Sequence, residues 1–149
     1  MIRKILRAGL ILFALSASAA ENEQAVQQHE AYSDAQVLGR CAGFLSFMSQ
    51  LYAAQNQLIQ AKDAALKSNG WRVATMGALL AAGWRSENLA STADSIYEGA
   101  ITSWRARLES AGPDLSFSLD QESKFCLSHN QSQEIYREFL KRIANQTQN

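Results

Sequence analysis

The sequence predicts an all-α fold: a small up-down-up bundle whose middle pass is broken into two helices. Three observations carry that expectation. Apolar residues recur at helical spacings of three and four through most of the chain, and no stretch alternates as a strand would. The chain holds a single Pro among 149 residues, with 47% apolar residues to fill a core. Two Cys, at positions 41 and 126, restrict how the helices can be arranged.

The first element is an address. Arg3, Lys4 and Arg7 precede the apolar run Gly9-Leu10-Ile11-Leu12-Phe13-Ala14-Leu15, and Ser16-Ala17-Ser18-Ala19-Ala20 follows before acidic Glu21. Basic, apolar, then small is the layout of a secretory signal peptide, residues 1–20, with cleavage expected after Ala19 or Ala20. The apolar run is well short of the ~20 residues that span a bilayer, so no transmembrane segment is expected after cleavage. No Cys follows the cut, and Arg40 spoils the lipobox-like Leu38-Gly39-Arg40-Cys41. The expected location is exported: the periplasm in a bacterium, otherwise the secreted space. Loss of the three basic residues leaves 11 against 14 acidic ones, a mature charge of −3. Such a balance points away from nucleic acid and from anionic membrane surfaces.

Residues 21–32 read as a polar, Gln-rich lead-in, and residues 33–149 as one helical domain. Ser33 and Gln36 have capping-box spacing. From there Val37, Cys41, Phe44, Met48, Leu51 and Leu58 form one stripe, beside a second of Leu38, Leu45, Tyr52 and Ile59. This predicts a helix over about 34–67, stopped by Asn69-Gly70. Trp71 to Trp84 is apolar apart from Arg72, giving a short buried helix over about 72–83. Leu89, Ala93, Ile96, Ala100, Trp104 and Leu108 share a face of a third helix, about 87–111, which Gly112-Pro113 ends. The stripes of these two helices fall on nearly opposite sides at ~100° per residue, so the chain must break between Gly83 and Ser86. Phe125, Cys126, Tyr136, Phe139, Leu140 and Ile143 predict a last helix over about 119–144. Its middle, Ser128 to Gln133, is polar all round and is expected to be exposed or hydrogen-bonded inside.

In an oxidising compartment two Cys most economically form one disulfide. Cys41 and Cys126 lie about two turns into the first and last predicted helices. They come level if those helices run parallel, and an ordinary up-down-up-down bundle would hold them tens of ångströms apart, against the roughly 4.4–6.8 Å between Cα atoms that a disulfide needs.

Candidate chemistry is sparse. His29 sits in the polar lead-in, and His129 shares a helix face with Cys126, but a disulfide removes that Cys from nucleophilic or metal work. Structural zinc would need about two further Cys or His ligands; the expectation is no metal and no cofactor. Cys126-Leu127-Ser128-His129 lacks the second Cys of a haem-attachment motif. Glu98 and Glu122 could approach as an acid–base pair, yet no nucleophile elbow, phosphate loop or His-Glu-x-x-His occurs. A non-catalytic protein is expected, the alternative being a small hydrolase or lyase using Glu98 or Glu122 with His129. Asn130 and Asn145 open glycosylation sequons, relevant only in a host that glycosylates.

One pattern stands apart. Each Trp precedes an Arg: Trp71-Arg72, Trp84-Arg85 and Trp104-Arg105, with Arg107 close by. Trp and Arg are enriched at binding hot spots, which makes these seven residues the candidate surface for a protein partner of unknown identity. The competing reading has each Trp at the core rim under a snorkelling Arg. A bundle that holds an apolar or anionic small molecule between its helices is a further alternative. Finally, Phe125-Cys126-Leu127 ahead of a Gln-containing amphipathic helix, with Cys41-Ala42-Gly43-Phe44 upstream, resembles small exported immunity proteins of type VI secretion systems. In those proteins Pro stands where this chain has Ser128, and their Cys lie closer together. The resemblance implies a protein that neutralises a toxin or hydrolase in its own compartment.

Overall fold

A computed structural model describes residues 5–110 and 114–146, with side chains from residue 24 onward. The leader and its cleavage site therefore lie outside the described side chains, and the Gly112-Pro113 stop lies outside the described residues. Five helices make up the described chain: α1 (Ile5–Ala54), α2 (Leu58–Ala81), α3 (Ser86–Ser110), α4 (Leu115–Ser128) and α5 (Asn130–Gln146). Among the described residues there is no strand. The fold is all-α, as its periodicity predicts.

The helix bounds differ from the sequence expectation in four places, each for a local reason. The lead-in over 21–32 is helical and continuous with α1; its Ala, Gln and Glu are good helix formers, so Ser33 caps nothing. Residues 24–30 are exposed, and the core begins at Ala31. The expected helix over 34–67 is interrupted at Gln55-Asn56-Gln57, where Asn56 takes φ 60, a left-handed conformation that Asn tolerates better than most residues. Leu51 and Leu58 are seven apart, two helical turns, so the stripe continues in register across the interruption and hides it. Asn69-Gly70 does not stop a helix, since α2 passes straight through it. A Cβ on Gly70 would press on the Gln133 amide, so the glycine gives α5 room to approach. The expected last helix is likewise two, parted at His129, whose backbone N–H closes a turn onto the Cys126 carbonyl at 3.0 Å.

The break predicted between Gly83 and Ser86 is present. Gly83 adopts φ 87, a region open to glycine without steric cost, and the chain reverses there. The up-down-up sense belongs to α1, α2 and α3. Ser49 Oγ donates to the Ala61 carbonyl and Ser68 Oγ to that of Ala42, both at 2.8 Å, a descending register that makes α1 and α2 antiparallel. Tyr32 stacks on Trp84, Tyr97 donates to Ser46 at 2.7 Å, and Arg105 donates to Gln50 at 2.8 Å. That ascending register makes α1 and α3 parallel. Their close approach rests on Gly39 and Gly43, one turn apart, where a Cβ would run into Ile96 and into Ala100 and the Tyr97 carbonyl. Phe44 and Phe47 pack on the ring of Trp104, and Leu38, Trp71, Ala74, Leu79 and Leu89 complete the core. Burying each large side chain is worth about 1.5–3 kcal/mol.

The disulfide forms between Cys41 of α1 and Cys126 of α4, with Cα atoms 5.6 Å apart. Glu122 meets Arg40 while Cys126 meets Cys41, so the two contacts rise in the same sense along α4 and α1. The helix α5 then lies over α2, with the Tyr136 backbone seated on Gly77.

Candidate functional site

The seven Trp–Arg residues do not converge on one surface. Trp71 and Trp104 are core anchors, 4% and 3% exposed. Trp84, in the α2–α3 turn, remains exposed and stacks on Tyr32 with ring centroids 6.1 Å apart. Arg72 pairs with Asp94 and lies 6.0 Å from the Tyr97 ring centroid. Arg85 approaches Glu87 at 3.7 Å. Arg105 binds Gln50, and Arg107 lies over the Trp104 ring at 4.8 Å. Arg85, Arg105 and Arg107 are exposed.

The carboxylates and histidines are similarly dispersed. Glu122 is 4% exposed and is held by both Nε and Nη2 of Arg40. The guanidinium in turn covers the Phe125 ring at 4.6 Å. This hydrogen bonding to Glu122 raises the Arg40 guanidinium above its ordinary range, against the opposing pull of desolvation. Glu98 is exposed on α3. The Nδ1 of His129 stands 2.8 Å from the Phe125 carbonyl, and its ring packs on Phe125 at 4.6 Å. The imidazole therefore serves the α4–α5 junction. Among the described residues no group of three or more His, Cys, Asp and Glu is placed to hold a metal ion.

Two concave sites flank the disulfide-tied helix α4. The larger, a groove of about 730 Å³, lies between α2 and the α4–α5 junction. Phe44, Trp71 and Cys126 form its floor, while Leu66 and Leu127 stand at its edge, 65% and 63% exposed. Lys67, Asn130, Glu134 and Arg137 ring it with polar groups. The smaller, about 430 Å³, lies among α1, α3 and α4 and is bounded by Arg40, Arg107, Trp104 and Glu122.

Sequence reading missed the larger groove. The signal was present in the phase of Leu66: at ~100° per residue it lies well away from the face of Ala61, Ala64, Ser68 and Trp71, which are buried. Leu127 is adjacent to Cys126 and so cannot share its buried direction.

The chain matches no protein-family model, no curated protein and no solved structure. Its class is defined by the fold alone: an all-α bundle, tied by one disulfide, with open clefts on either side of the tied helix. Among the described residues no helix is long and apolar enough to cross a membrane.

Proposed function

We propose that this is an exported, non-catalytic helical protein that binds another protein through the groove between α2 and the α4–α5 junction. The observation that carries the reading is the make-up of that groove. Two exposed leucines beside a concave floor that the buried Phe44 and Trp71 support from beneath, inside a polar rim, have the core-and-rim make-up of a protein interface. The scaffold around it is stiffened on one side by the disulfide. Export is supported by the basic–apolar–small leader and by a disulfide buried in the folded chain.

The narrower reading is an immunity or inhibitor protein. It is favoured by the convergence of the two segments that carry that resemblance: Cys41 and Cys126 are bonded, and Phe44, Cys126 and Leu127 line the groove together.

The test is co-purification from the native compartment with the parent chain and with Leu127→Glu. A single stoichiometric protein retained by the parent and lost with Leu127→Glu supports the reading. A partner retained equally by both, or no partner at all, defeats it.

A further inference from the structure

The smaller cleft has an unbalanced charge. Arg40 and Arg107 both line it, against the single carboxylate of Glu122. Arg40 spends its Nε–Nη2 edge on that carboxylate, leaving its Nη1 edge on a half-exposed side chain. Arg107 lies over the Trp104 ring, and no carboxylate among the described residues pairs with it. Contact over a ring face leaves a guanidinium's donors at its edge, a fork that matches a carboxylate. The rest of the lining is mixed: Val37, Ile96 and Ala100 offer apolar surface, Gln36 and Ser103 polar groups.

We propose that this cleft binds a single carboxylate carried on a compact body, with the carboxylate on Arg107, the free edge of Arg40 beside it, and the body against Val37 and Ile96. A volume of about 430 Å³ lies within the range of small-ligand sites and suits one amino-acid-sized group. The same chemistry is offered by a free small acid, by the C-terminus of a polypeptide, or by an acidic side chain within one. This site is separate from the groove assigned to the protein partner.

The test is a titration of the purified, oxidised, ¹⁵N-labelled protein with three probes. These are N-acetylphenylalanine, a short peptide ending in Phe with a free carboxylate, and a C-terminally amidated peptide with one internal Glu. Each is paired with a control in which the carboxylate is an amide. The Arg107 Nε–H and Trp104 indole N–H resonances are the readout. Saturable shifts are expected with at least one acid and not with its amide, and the tightest binder identifies the source of the carboxylate. Arg107→Gln weakens that binding by roughly tenfold, the worth of one charge-assisted hydrogen bond. Arg107→Lys, which keeps the charge and loses the fork, falls between. Leu127→Glu leaves the shifts unchanged, so failure of the groove reading does not affect this result. Absence of shifts with all three acids, equal shifts with the amides, or undiminished binding by a folded Arg107→Gln would overturn the proposal.

Discussion

The phenol of Tyr136 donates a hydrogen bond of 2.8 Å to Asp34, joining residues 102 positions apart. The contact pins α5 to α1 across the body of α2, which Tyr136 also touches through Gly77. Burial first, then the bond to Asp34 and the nearby charges of Asp34 and Glu30, raise the Tyr136 phenol above its ordinary range.

The sign of the resulting pH dependence follows directly. A phenol held above its unfolded value keeps more protons in the folded chain, so its contribution is complete below about pH 10 and declines as pH rises past it. Urea midpoints measured from pH 7 to 11 should be level at first and then fall. Tyr136→Phe should flatten the alkaline fall. An equally steep fall in the phenylalanine variant would assign the effect elsewhere.

Reducing the Cys41–Cys126 bond, or replacing both residues by Ser, should lower unfolding free energy by about 4–5 kcal/mol in the chain-entropy picture of a loop this long. Denaturant unfolding with and without reductant measures the loss. The native protein should show no titratable thiol, and two should appear only after denaturation and reduction.

Arg40 and Glu122 make a case in which removing one partner is worse than removing both. Arg40→Met leaves a buried carboxylate without its cation and should cost about 3–5 kcal/mol. The double variant Arg40→Met with Glu122→Met should recover most of that loss. Stability of the two single variants and the double, read as a thermodynamic cycle, decides the matter.

Gly77→Ala should destabilise by about 1–3 kcal/mol, because the added methyl meets the Tyr136 carbonyl, a backbone atom that cannot swing aside. Hydrogen exchange should show the loss concentrated in α5. Gly99→Ala, which meets nothing within 4 Å, should instead be neutral or stabilising by up to about 1 kcal/mol.

These contacts show which parts of the fold the sequence exposes to a reader and which it conceals. Helix content, the buried faces of α2 and α3, the break at Gly83 and the bonded cysteines are all legible, because each rests on local periodicity or on pairing arithmetic. The turn at Asn56 is not: a polar residue bends the chain while the apolar stripe on either side stays in phase. Gly70 reads as a stop signal, yet it is a place where another helix leans in, and that helix is more than 60 residues away. The packing of α5 on α2 has no local signature at all. The site follows the same rule. Trp71 and Trp104 attract notice as hot-spot types but are spent on the core, whereas Leu66 and Leu127 shape the groove and are ordinary residues seen only by their phase.

The separation of 85 positions between the bonded cysteines makes theirs a non-local contact. Each helical hairpin is built from neighbouring sequence, whereas Cys41 and Cys126 sit on helices that lie far apart along the chain. Oxidation thus adds a long-range tie to a bundle otherwise joined hairpin by hairpin, and a thiol-reactive label separates chains that carry the tie from chains that lack it.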